Sequence, residues 1–125
     1  MTMRACDTIA RLTLFLAGLL GATGIGLAAA ANHLDDPRGF SAAATVCLAN
    51  APALIGLYAV RPSLRLAPLA ALVIACGALL FTADMLLRHF YGMRVFAMAA
   101  PTGGMLQIVG WLIVAVSALL PKPTA

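Results

Sequence analysis

Few side chains in this sequence could do chemistry, and most of them stand alone. Asp84 and Arg88 are the exception, a carboxylate and a guanidinium four residues apart at the end of an apolar run. On a helix that spacing sets them one turn apart on one face. The basic member lies nearer the carboxyl end, an order that both pair geometry and the helix dipole favour. Such a pair can anchor a helix end and orient the loop beyond it. Ionisable groups in membrane helices are also the ones that relay protons, bind ions or bind partners. Asn50 and Gln107 lie deep in other apolar runs, where an unpaired amide is costly. Asn50, Asp84, Arg88 and Gln107 therefore form the candidate polar cluster, with Ser117 as further interhelical hydrogen-bonding material.

Other chemistries find no residues to carry them. Cys6, Cys47 and Cys76 make no CxxC or other metal-ligand spacing, and two of them lie inside apolar runs, where cysteine behaves as a small hydrophobe. His33 and His89 fall in or beside loops at the same side of the membrane. They do not face each other within spans, as a pair of haem ligands would. Neither a nucleophile–base–orienter set nor a phosphate-cradling glycine loop is visible. The expectation is a protein without catalytic residues, metal or cofactor.

The elements that must position the polar groups follow from composition. Of 125 residues 63% are hydrophobic and only 10% charged, and mean hydropathy is +1.02. A soluble domain this small cannot hide so much apolar surface, so its solvent is lipid. The net charge of +4 comes from eight basic residues scattered singly at the ends of apolar runs, with no cluster suited to nucleic acid. The expected fold is all-α, a single membrane-embedded four-helix domain over residues 1–125 with spans at about 8–31, 41–60, 66–88 and 101–120.

The first run, Leu12 to Ala31, is free of charge and 20 residues long. At 1.5 Å per residue it extends about 30 Å, the thickness of the hydrocarbon core. Ala17, Gly21, Gly24 and Ala28 form a small-residue stripe along it, a face that lets two backbones approach closely. Arg4, Arg11 and Ala28-Ala29-Ala30 also fit a secretory signal with a small-residue cleavage site, but the length of the run favours a retained helix. Asp35-Asp36-Pro37 signals a turn before the second run, Ser41 to Val60, in which Pro52 is expected to kink the helix. Arg61 to Arg65 is a tight basic connection, and Pro68 suits the first turn of the third helix.

On the third run Gly77, Phe81, Asp84 and Arg88 share a face, Asp84 within roughly two turns of the membrane surface. Pro101 is expected to divide the last run into a short interfacial piece, Val95–Ala100, and a fourth span from Thr102 to Leu120. On that span Gly103, Gln107, Gly110, Val114 and Ser117 share a face. Pro101, Gly103, Gly104, Gly110 and Trp111 make up a packing motif. Trp111, at mid-span, is expected inside the bundle with its indole N–H bonded. Counting basic residues, Arg4, Arg11, Arg61, Arg65 and Lys122 lie at one side against Arg38, Arg88 and Arg94 at the other, which favours cytoplasmic termini.

Several of these residues resemble a known family. Ala83-Asp84-x-x-x-Arg88-x-x-x-Gly92, then Phe96-x-Met98-Ala99-Ala100-Pro101-Thr102-Gly103-Gly104 and Ile108-x-Gly110-Trp111, are similar to the carboxyl half of the bacterial membrane family catalogued as domain of unknown function 423. Ala31-Asn32-His33-Leu34 resembles that family's Gly-Ala-His-x-Leu segment, and Phe40 to Leu54 its second-helix segment. In the latter, Val46, Cys47 and Asn50 stand where the family usually shows Tyr, Gln and His, and Pro52 replaces a leucine. The resemblance implies a four-helix inner-membrane protein that keeps its first helix, and it implies no activity.

The functional expectation is a structural or accessory protein of the bacterial inner membrane. It would associate through small-residue faces with itself or with a larger membrane complex, its only other partner being the lipid bilayer. The alternative is a small transporter or ion-pathway subunit using Asp84 and Arg88, although the first span lacks the carboxylate that four-helix exporters rely on. A haem- or quinone-associated subunit is the third possibility.

Overall fold

In hydrocarbon every backbone N–H and C=O must find its partner within the protein, which restricts spanning segments to helices or closed barrels. A computed structural model describing residues 3–124 shows the helical solution: α1 (Met3–Ala31), α2 (Arg38–Val60), α3 (Ala67–Tyr91) and α4 (Ala99–Leu119). No strand occurs among the described residues. The shortest helix has 21 residues, about 32 Å, and all four are long and apolar enough to cross a membrane. The 29 residues of α1 exceed what the hydrocarbon needs, so its first turns, with Arg4, Asp7 and Arg11, extend beyond it.

Short connections make consecutive helices antiparallel neighbours. The first three helices form a mutually packed trio, whereas the backbone of α4 lies against α3 alone. The spans begin or end a few residues from their expected limits, and α2 runs unbroken through Pro52.

The small-residue stripe of α1 is used within the chain. Ala17 is buried, Gly24 is so close to α2 that an added Cβ would stand 2.7 Å from Leu48 Cγ, and one on Gly21 would touch Ala51 at 3.7 Å. This stripe is therefore not an outward face for self-association, as the sequence suggests. It seats α1 on α2.

A tighter seam joins α3 to α4. A Cβ on Gly77 would lie 2.6 Å from the Gly103 carbonyl oxygen, and one on Gly103 would lie 2.7 Å from the Gly77 carbonyl oxygen. Gly110 meets Ile74 along the same line. At the seam's far end Leu66 N–H donates to Ser117 Oγ at 3.1 Å, so a residue of α4 satisfies a backbone group at the start of α3. Gly104, by contrast, faces open space.

Two expectations fail on α4. Pro101 does not divide the last apolar run; it sits in the first turn of a helix that begins at Ala99, and Thr102 N–H already donates to the Met98 carbonyl at 2.9 Å. First-turn N–H groups have no intrahelical partner, so proline loses nothing there. Trp111 is not buried: 48% of its surface is exposed, on the outward side of a helix that touches its neighbour along a narrow glycine face. Lipid is as apolar as the interior, so nothing drives this ring inward.

Candidate functional site

The four candidate residues separate into two pairs at different levels of the bundle. Asp84 is completely buried near the end of α3. Its Oδ2 faces Arg88 Nη2 at 2.6 Å, and its Oδ1 accepts a hydrogen bond from Val95 N–H at 3.0 Å. One carboxylate thus ties the last turns of α3 to the α3–α4 connection, residues 92–98. The 34% exposure of the Arg88 side chain leaves part of its guanidinium at the rim, while its Nε is enclosed without an acceptor among the described residues. Asp84 lies about two turns before the end of α3 and is sealed by protein.

The turn following this pair depends on one glycine. Gly92 ends α3 with φ of 64°, and its N–H donates to the Arg88 carbonyl at 3.1 Å. Glycine adopts this left-handed conformation without penalty, and a Cβ would strain it.

Asn50 and Gln107 form the second pair. Asn50 Nδ2 donates to Gln107 Oε1 at 2.7 Å and to the Val46 carbonyl at 2.8 Å, and Gln107 Nε2 donates to the Gly103 carbonyl at 3.2 Å. The amides are polar glue between α2 and α4, whose backbones do not otherwise meet. They line an open groove between those helices together with Phe81, Gly104, Ile108 and Trp111. Arg88 instead lines a recess at the rim with Asp35, Asp36, Met85 and His89. The four residues do not converge on one cavity.

The rim around Arg88 is built from local contacts. Asp36 Oδ1 accepts from Arg38 N–H at 3.3 Å and pairs with Arg38 Nε at 3.1 Å. The backbone bond from Arg38, then its guanidinium, holds the Asp36 carboxyl below the ordinary value of 3.8. His89 clusters with Phe40 and Phe90, its ring tilted against Phe40 at 4.6 Å and edge-to-face with Phe90 at 5.2 Å between centroids. Beyond it Tyr91, Met93, Phe96 and Met98 are exposed, an amphipathic belt suited to the membrane–water interface. His33 is exposed in the preceding connection, and no group of three or more His, Cys, Asp or Glu residues fit to hold a metal occurs among the described residues.

Some contacts escape sequence reasoning. Cys47 Sγ lies 3.2 Å from Thr82 Oγ1, fully enclosed between α2 and α3. Thr82, two residues before Asp84 in an apolar run, was a visible polar signal, but nothing in the sequence names its partner. The Val95 N–H bound by Asp84 is a backbone group, which carries no residue-type signal at all.

A family model described as "Protein of unknown function (DUF423)" matches residues 20–104. The match takes in Asn50, Asp84, Arg88, Gly92 and the Pro101–Gly104 stretch, and it ends before Gln107, Gly110 and Trp111. Neither a curated protein nor a solved structure matches the chain.

Proposed function

The chain belongs to the DUF423 family, and on that premise we propose that it is a non-catalytic structural or accessory protein of the bacterial inner membrane. It crosses four times with both termini in the cytoplasm, the side to which five basic residues against three assign them. It binds no nucleic acid and associates with a second copy or a larger membrane complex. The observation that carries this reading is the way its polar side chains are spent. Cys47 with Thr82, Asn50 with Gln107, Asp84 with Arg88 and Val95, and Ser117 with Leu66 are each bound within the chain. These pairs tie helices and a loop together and form no polar chain from one end of the bundle to the other. α1 spends its small-residue stripe on α2, and one face left for association is that of α4, which meets no helix but α3 along its backbone and exposes Met105, Ile108 and Leu112. A photo-crosslinking side chain at Ile108 in native membranes captures a neighbouring protein on this reading. A protein that stays uncrosslinked and runs as a partnerless monomer in mild detergent removes it.

The complete enclosure of Asp84 favours a second reading, a small transporter or ion-pathway subunit in which Asp84 and Arg88 carry charge or protons. Proteoliposome flux decides it, with Asp84→Asn as the control. Flux that is absent, or that persists unchanged in the variant, ends that idea. An absorption spectrum of the purified protein without a Soret band disposes of a haem-associated role.

A further inference from the structure

The rim opposite the Asp84 end holds two neighbouring recesses. One is a narrow apolar cleft walled by Ile9, Ala10, Thr13, Tyr58 and Ala71. The other opens outward beneath the α2–α3 turn, against Pro62, Arg65 and Pro123. Cys6, Arg61 and Pro68 line both, so the tight cleft, with room for about 10 Å³, borders a wider depression of about 360 Å³ that is cationic at its mouth.

Arg61 is held in place there. Its guanidinium carbon lies 4.0 Å from the Tyr58 ring centroid, and Nη1 donates to the Tyr58 carbonyl at 3.1 Å. A guanidinium fixed in this way loses little further freedom when an anion binds. Arg65 is exposed at the same mouth, and neither arginine is ion-paired among the described residues. The surrounding end of the bundle carries Arg4, Arg11 and Lys122 against the acid Asp7. Its charge therefore complements an anion that arrives in the plane of the membrane.

We propose that the wider depression binds the head group of an anionic phospholipid, its phosphate at Arg61 and Arg65, with the acyl chains in the surrounding bilayer. Arginine pairs with phosphate through two parallel N–H donors, and basic pockets between membrane helices select anionic head groups. The inference requires that the four helices span a bilayer. It is independent of whether the protein associates with others, and crosslinking at Ile108 can fail without affecting it.

Native mass spectrometry of the full chain, released from detergent with an equimolar mixture of phosphatidylglycerol and phosphatidylethanolamine, tests it. The wild-type protein retains phosphatidylglycerol preferentially, and Arg61→Gln with Arg65→Gln lowers that retention about tenfold. Arg4→Gln with Lys122→Gln removes equal charge from the same end outside the depression and leaves retention intact. Arg61→Lys with Arg65→Lys, which keeps the charge but not the paired N–H donors, also lowers retention and keeps the question answerable should the glutamine variant not fold. Equal losses in both charge variants would mean a diffuse field rather than a site and would overturn the proposal. So would a wild type that does not discriminate the two lipids, displacement of the lipid by inorganic phosphate, or full retention in Arg61→Lys with Arg65→Lys.

Discussion

Asp84 links three parts of the molecule through one carboxylate: its own helix, the Arg88 side chain and the Val95 backbone. Removing it should therefore cost more than one contact. Asp84→Ala leaves Val95 N–H without its acceptor and Arg88 without its counter-charge, a loss of about 1–3 kcal/mol for a buried polar group stripped of its partner. Asp84→Asn keeps an oxygen for Val95 N–H, and the partly exposed Arg88 can turn toward water, so this variant should fall between wild type and Asp84→Ala. Thermal unfolding in detergent gives the order, and equal stability of all three proteins would show that the carboxylate ties nothing down. The pair itself was legible in the sequence, because four-residue spacing on a helix admits few other geometries. Val95 was not, since a backbone donor eleven residues away leaves no trace in residue types.

At the scale of the helices, hydropathy and length gave four spans, and proline and glycine marked most of their ends. Pro101 was misleading because proline reads as a breaker by default, although the first turn of a helix accepts it. Small-residue stripes were also visible, but a stripe of glycine and alanine fits a neighbouring helix of the same chain as well as a second copy. Only the fold shows that α1 seats on α2 and that Gly77 and Gly103 interlock α3 with α4. Two adjacent glycines should therefore respond in opposite ways. Gly103→Val forces its side chain onto the α3 backbone and should destabilise by about 1–3 kcal/mol or more, loosening α4. Gly104→Ala meets open space and gains helix propensity, so it should be neutral or stabilising by up to about 1 kcal/mol. Thermal unfolding of the two variants side by side checks this; similar losses for both would place α4 in a different rotation about its axis.

For the whole molecule, α4 is an outrigger: three helices share a common interior, and the fourth leans on α3, bridged to α2 by one amide pair. This asymmetry was beyond reach of the sequence, because lipid imposes no difference in hydrophobicity between a side chain facing another helix and one facing an acyl chain. Trp111 shows the consequence. A large aromatic at mid-span suggests a buried ring, yet it stands 48% exposed beside the α2–α4 groove. It is also the only tryptophan in the chain, so its fluorescence reports on one place. In vesicles of lipids brominated along the acyl chains, Trp111 emission should be strongly quenched, and most by bromines near the bilayer centre, since the residue lies about midway along α4. Acrylamide added to the water should quench it weakly. A partner protein seated on the outer face of α4 would protect the ring from bromolipid, so quenching that falls as protein density in the vesicles rises would locate the association surface at this helix. Weak bromolipid quenching at every dilution would instead put the indole inside the bundle and require α4 to be turned toward α2.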